Sequence, residues 1–209
     1  MSHRTRKRVA VLEPAVVFVL IMLYIWWLRF HHHSSWIGIL ALVMISHAWR
    51  REDASTLGFH LRNLRVCIEE FAPVLLLVVL TLLAAGMLLQ TTRPVHFHEA
   101  LMVWMGYLPW ALFQQYMLNG YFLQRLTAVQ KPRVAGATAA ALFSGAHTPN
   151  WFLMIVCFGA AYCCTRIWKK YRNLYFLGIA HATIGFLLYL VVPDSISHHL
   201  TVGPGWFLH

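Results

Sequence analysis

Charge is scarce in this chain. Only 11% of its 209 residues are Asp, Glu, Lys or Arg, and only seven are acidic. A soluble domain is nearer a quarter charged and half apolar; here the apolar share is 59% and the mean hydropathy +0.59. Those figures exclude a water-soluble globular enzyme, and they equally exclude disorder. Cysteine is scarce too. Cys67, Cys157 and the adjacent Cys163 and Cys164 have neither disulfide-framework spacing nor the two-residue gap of a zinc knuckle. Internal repeats, low-complexity linkers and a C-terminal lipidation signal are missing; the tail reads Gly205, Trp206, Phe207, Leu208, His209. Glu13, Glu52, Asp53, Glu69, Glu70, Glu99 and Asp194 all fall near the ends of apolar runs or between them, so no carboxylate is expected in mid-membrane.

What is present is long apolar sequence. A span needs about 20 residues, fewer where flanking side chains reach the interface. Seven stretches qualify: Val9–Leu28, Ser35–Trp49, Phe71–Leu89, Phe97–Leu126, Val134–Ala146, Trp151–Thr165 and Leu174–Val192. The second, fifth and sixth are short, but the basic residues give an independent check. With the N-terminus in the cytoplasm, 15 of the 17 Lys and Arg fall on the inner side, leaving Arg29 and Arg93 outside. That matches the excess of positive charge in cytoplasmic loops. The net charge of +10 therefore reads as topology, not as a nucleic-acid-binding face. The first span ends in Trp26, Trp27, Leu28, Arg29 with no small-residue cleavage site after it, and is expected to be an uncleaved anchor.

The expected fold is all-α: a polytopic transmembrane helical bundle of about seven spans, N-terminus in and C-terminus out. Residues 1–96 form N-terminal membrane helices, 97–192 a core and 193–209 an extracytoplasmic tail, all within one membrane domain. Trp36, Trp49 and Trp151 at span ends read as interface anchors. Eight of the 13 histidines fall on the outer side: His31, His32, His33, His96, His98, His198, His199 and His209. They read as solvated interfacial residues, with metal binding or pH sensing as the alternative.

Polar side chains inside membrane helices are costly and usually face the bundle interior. The fourth stretch carries Gln114, Gln115 and Asn119, the fifth ends in His147, and the seventh contains His181. At ~1.5 Å per residue, Gln114 is about 18 Å from Leu126, His147 about 20 Å from Val134 and His181 about 10 Å from Leu174, so the three can meet at one depth. Gly178 and Gly185 flank His181 on one helical face and invite close approach of another helix. Plainer readings stand beside this one. Gln115 and Asn119, four apart, can bond each other as packing glue; His147, before Thr148, Pro149 and Asn150, can be an interfacial residue at a helix stop. His181 alone in its helix can be structural.

Gln114-Gln115-Tyr116-Met117-Leu118-Asn119-Gly120, Phe143-Ser144-Gly145-Ala146-His147 and His181-Ala182-Thr183-Ile184-Gly185 together resemble the CPBP family of intramembrane endopeptidases, the CAAX protease and bacteriocin-processing (Abi) group. Its pattern is Glu-Glu-x-x-x-Arg-Gly, then Phe-x-x-x-His, then His-x-x-x-Asn. The likeness covers roughly residues 97–192. It implies hydrolysis of a membrane-associated or CAAX-like peptide, with the first glutamate activating water while the histidines and the asparagine stabilise the oxyanion. The positions that correspond are Gln114, His147, His181 and Gly185, with Gln115 and Asn119 in place of the second glutamate and the arginine.

These departures are coordinated. Polarity is retained at 115 and 119 while charge is lost. Gln114 can orient a water but cannot take its proton, and Gly185 removes a donor. Glu99 and Asp194 are ~22 and ~20 Å away along their helices and cannot substitute. Glu69-Glu70 is followed at the arginine spacing by Val74. A histidine can act as base. Cofactors are not expected; zinc on His147 and His181 would need a third ligand such as Cys163 or Cys164. Two functions follow. One is a CPBP-type peptidase. The other is a catalytically silent homologue that binds a hydrophobic or lipidated peptide or lipid, or serves as an accessory subunit of a membrane-protein partner. The bilayer, and no nucleic acid, is the expected surrounding, and the family and short loops suggest a prokaryotic inner membrane.

Overall fold

In hydrocarbon every backbone N–H and C=O needs an internal partner, which an isolated segment achieves only as a helix. The computed structural model describes residues 3–208, with side chains from Leu12 onward, and among these it contains helices and no strands. The side chains of Arg4, Arg6, Lys7 and Arg8, and all of His209, lie outside the described residues. Helix α1 (His3–Leu23) runs on through a π-helical stretch, Tyr24–Leu28, into Arg29–His31. It is followed by α2 (Ser35–Arg50), α3 (Leu64–Leu88) and α4 (Phe97–Gln115). The last continues as a π-helical stretch, Tyr116–Leu123, and a final turn, Gln124–Thr127. Then come α5 (Pro132–Gly145), α6 (Trp151–Tyr171), α7 (Leu174–Val191) and the short α8 (Asp194–Ser197).

Each of the seven apolar stretches falls on one of the helices α1 to α7. Four segments are long and apolar enough to cross a membrane: Leu12–His31, Leu64–Leu88, Trp151–Tyr171 and Leu174–Val191. Ser35–Trp49 is apolar but shorter. The outward faces are apolar too. Val74, Leu76, Leu77 and Leu80 of α3 and Ile155 and Phe158 of α6 are exposed, as a lipid-facing surface requires. Trp36, Trp49 and Trp151 are likewise exposed at helix ends.

Helix α7 packs between α4 and α3, while α5 pairs with α6. The π-helical part of α4 touches both members of that pair, and all eight of its residues are buried. An outer helix would bury one stripe; this stretch is enclosed all round. Close approach of α7 to α4 depends on glycine. A Cβ at Gly178 would lie 2.9 Å from Leu112 Cδ1 and 3.2 Å from Leu112 Cα, inside contact distance. Two buried asparagines set the starts of α6 and α7. Asn150 Oδ1 accepts from Leu153 N at 3.1 Å while its Nδ2 donates to Ser197 O and Thr201 O. Asn173 Oδ1 accepts from Phe176 N at 2.9 Å while its Nδ2 donates to His60 O and Asn63 Oδ1. Each thus caps a helix and ties it to a distant loop.

One charged cluster joins the first two helices to the rest. Arg125, 2% exposed, pairs end-on with Glu52, Nη1 to Oε1 at 2.8 Å and Nη2 to Oε2 at 2.7 Å. Its Nε donates to Glu13 Oε1 at 3.2 Å and to Ser46 Oγ at 3.1 Å. Arg50 Nη2 donates to the other oxygen of Glu13 at 2.5 Å, and Ser46 Oγ also donates to Glu13. Burial alone would raise the Glu52 pKa, but the hydrogen bonds from Arg125 and His47 outweigh it and hold the carboxyl below its usual range. Sequence reading placed Glu13 and Glu52 near span ends without a partner; the pairing joins residues 112 and 73 positions apart and has no local signature.

At the other end of the bundle Arg93 grips Asp194, Nη1 to Oδ2 at 2.9 Å and Nη2 to Oδ1 at 2.5 Å, and His199 adds a contact at 3.1 Å.

Replacing Arg125 with Met leaves Glu13 and Glu52 without their shared cation, and removal of one partner from a buried pair costs about 3–5 kcal/mol. A large fall in the thermal midpoint of the detergent-solubilised protein is expected. Arg125→Lys is expected to recover only part of it, because an ammonium cannot match the two-pronged contact with Glu52.

The Arg93 hydrogen bond lowers the Asp194 pKa from its ordinary value. A depressed carboxylate contributes stability above its unfolded pKa, about 3.9, and that contribution is lost as pH falls through the lower folded value. Asp194→Asn is therefore expected to lower the thermal midpoint at pH 6, and the gap should close below about pH 4. An equal gap at pH 3 would contradict the assignment.

Candidate functional site

The sequence-predicted polar residues converge. Gln114, Gln115, His147 and His181, together with Gly185, line one cavity of about 920 Å³. Its remaining wall is overwhelmingly apolar, supplied in part by Phe18 and Ile21 of α1 and Ile39 and Val43 of α2. Among the described residues, no Asp or Glu lines it.

His181 sits at the centre of a chain of hydrogen bonds. Asn119 Nδ2 donates to Gln115 Oε1 at 2.9 Å, and Gln115 Nε2 donates to His181 Nδ1, also at 2.9 Å. The first bond commits the amide oxygen of Gln115, so its NH₂ faces the ring. An imidazole nitrogen that accepts carries no proton, which puts the proton of neutral His181 on Nε2. Gln115 and Asn119 are 2% and 0% exposed.

His147 has the opposite arrangement. It lies in the turn after α5, and its Nδ1 is 2.8 Å from Phe143 O. A carbonyl oxygen only accepts, so Nδ1 carries the proton and Nε2 the lone pair. Phe143 spaces the two histidines, its ring 5.0 Å from that of His147 and 6.0 Å from that of His181. The turn is held by Asn150 as described and by Gly203 N, which donates to Thr148 O at 2.8 Å. One wall of the cavity therefore presents a base and another a donor. Gln114 Oε1 is buried without a protein partner, as suits a group that holds a water or a ligand N–H.

Residues 96–187 match the family model described as Type II CAAX prenyl endopeptidase Rce1-like. Over those residues the chain is similar to Rce1-like proteins of the CPBP family. No curated protein and no solved structure matches it. The matched residues include Gln114, Gln115, His147 and His181, whereas α1 and α2, outside the match, supply part of the apolar wall. Cys163 is exposed, Cys164 lines the cavity, and among the described residues no group of three or more His, Cys, Asp and Glu is placed to hold a metal ion.

Sequence reading missed Tyr107, whose hydroxyl oxygen is 3.3 Å from His181 Nε2. A signal was available. Tyr107 precedes Gln114 by seven residues, two helical turns, and so shares its face. Arg29, read from sequence as an outer-side charge, lines the cavity and donates to Val202 O at 3.3 Å. Among the outer histidines, His31 stacks on Trp27 at 4.7 Å and His198 lies 4.7 Å from Trp206.

Gln115→Glu replaces a donor to Nδ1 with an acceptor, and the proton of His181 is expected to move to Nδ1. Nitrogen-15 NMR of histidine-labelled protein reads this as an exchange of the protonated-type and bare-type shifts of that one ring. Unchanged shifts would contradict the assigned chain.

Proposed function

We propose that the chain is a CPBP-type intramembrane endopeptidase that hydrolyses a membrane-associated, CAAX-like peptide with a histidine base in place of the glutamate. The observation that carries this reading is the opposed protonation of the two histidines in one cavity: His147 with a bare Nε2 and His181 with a bare Nδ1. Water held by Gln114 gives its proton to His147 Nε2 as its oxygen attacks the peptide carbonyl carbon. The oxyanion so formed is stabilised from the His181 side. As the C–N bond breaks, His147 returns the proton to the leaving amine. Gln115 and Asn119 act behind His181, holding its ring and tautomer.

A second reading is favoured by one specific feature, the lack of any carboxylate in the cavity wall. In it the same groups bind a hydrophobic or lipidated peptide, or a lipid, without cutting it, and the chain serves as an accessory subunit of a membrane-protein partner.

The topology proposed with either reading has α1 to α7 as seven spans, N-terminus inside and C-terminus outside, in a prokaryotic inner membrane. Arg50 and Arg125 then lie on the inner side and Arg29 and Arg93 on the outer. The balance of Lys and Arg supports this.

Matched membranes containing the native chain, His147→Ala and His181→Ala, at equal abundance, test the peptidase reading through the termini of all membrane peptides. New termini are expected with the native chain alone, and Gln114→Glu is expected to preserve or increase them. Identical termini in all three membranes would overturn hydrolysis and favour the binding reading.

A further inference from the structure

We propose that Tyr107 is a catalytic residue, the hydrogen-bond donor that meets the substrate carbonyl; this rests on the peptidase reading above. Three observations converge on its hydroxyl.

The first is direction. The bonds from Asn119 to Gln115 and from Gln115 to His181 all run one way, so His181 Nε2–H is the next donor, and the atom 3.3 Å away is Tyr107 Oη. With its oxygen accepting from the imidazole, the hydroxyl proton is released from His181, and among the described residues no other acceptor is bonded to it. Tyr107 lines the same cavity as His147 and Gln114, so that proton is available to a bound carbonyl. Each bond in such a chain polarises the next, and the terminal O–H becomes a better donor than an isolated phenol.

The second is space. The ring of Tyr107 occupies the room beside Gly185. A Cβ at 185 would lie 2.8 Å from Tyr107 Cε1 and 3.1 Å from its hydroxyl oxygen. Glycine at 185 and tyrosine at 107 are thus one structural decision, in which a side chain from α4 fills the place that a residue on α7 would otherwise take. Between helices, 4.5–7 Å is an ordinary ring contact, and the Tyr107 and His181 rings are 6.1 Å apart, edge to face.

The third is register. Trp104, one turn from Tyr107, donates through Nε1 to Thr183 Oγ1 at 3.3 Å. This third bond between α4 and α7, beside those of Gln115 and Tyr107 to His181, holds the hydroxyl at the height of His181. A donor aimed in advance at developing negative charge is what oxyanion stabilisation demands, and losing one such donor typically lowers turnover by about 10²- to 10³-fold.

The test uses the full chain in lipid nanodiscs with a carbon-13-labelled methyl ketone of N-dodecanoyl-leucine as probe. The carbonyl stretch is read by isotope-edited infrared spectroscopy, and His147-dependent cleavage is measured on the same preparations. In the native chain the stretch is expected to fall on binding. Tyr107→Phe should lose most of that fall and slow cleavage about 10²- to 10³-fold. Gly185→Asn alone should also lose it, because the new side chain collides with the ring. Tyr107→Ala combined with Gly185→Asn should regain at least part of it, because an amide donor then has the vacated space; a purely structural role for Tyr107 predicts no such rescue. A shift unaffected by Tyr107→Phe, a double variant no better than Tyr107→Ala, or a stretch identical bound and free in the native chain would each overturn the proposal. Loss of the shift in Tyr107→Phe with no cleavage by the native chain would leave the donor in place and overturn hydrolysis. Cleavage indifferent to Tyr107→Phe would do the reverse.

Discussion

A guanidinium buried to 2% exposure is tenable only if its charge and its N–H groups are met inside the protein, and Arg125 is met by Glu13 from α1, Ser46 from α2 and Glu52 from the loop after it. Stripping an arginine and two carboxylates of water is costly, and good geometry with full hydrogen bonding is what offsets it. The consequence is mechanical. Because α4 ends in this cluster, the first two helices are joined to the same bundle as residues 96–187, and their Phe18, Ile21, Ile39 and Val43 form one wall of the cavity.

Charge at the helix ends and neutrality at depth are two answers to one constraint. Near an interface a fixed ion pair retains partial solvation, as at Arg93 and Asp194, which are about a quarter to a third exposed. Within an apolar cavity the same pair would be far costlier, and neutral amides perform a different task. An amide presents both a donor and an acceptor, so Asn119 and Gln115 pass a direction along the chain to His181 that a carboxylate, which only accepts, would reverse. Amides at 115 and 119 therefore set which nitrogen of His181 carries the proton.

Much of the fold was legible, because a membrane segment writes its existence in a run of apolar residues and a charge at each end. Each of the seven stretches lies on a helix, several agreeing to within a residue or two at their ends. The candidate site was legible for the same reason: an amide or imidazole in such a run stands out. Tyr107 did not stand out, since tyrosine is unremarkable in an apolar helix and its partner is 74 positions away. Neither did the Arg125 cluster, whose members sit at apparent interfaces. The π-helical stretch Tyr116–Leu123 is equally silent, because an added residue per turn leaves no mark in the order of apolar side chains and is set by enclosure on all sides.

What the chain of residues determined alone was the class of solvent, the helical form that solvent imposes, and the identity of the few polar groups placed at depth. The tertiary structure decided how those groups are used. A tautomer depends on which partner reaches each ring nitrogen, and those partners come from a neighbouring turn for His147 and from another helix for His181. Hydrogen bonds of this kind act over about 3 Å, so the fold, by setting the turn after α5 and bringing α4 against α7, leaves one histidine nitrogen an acceptor and the other a donor.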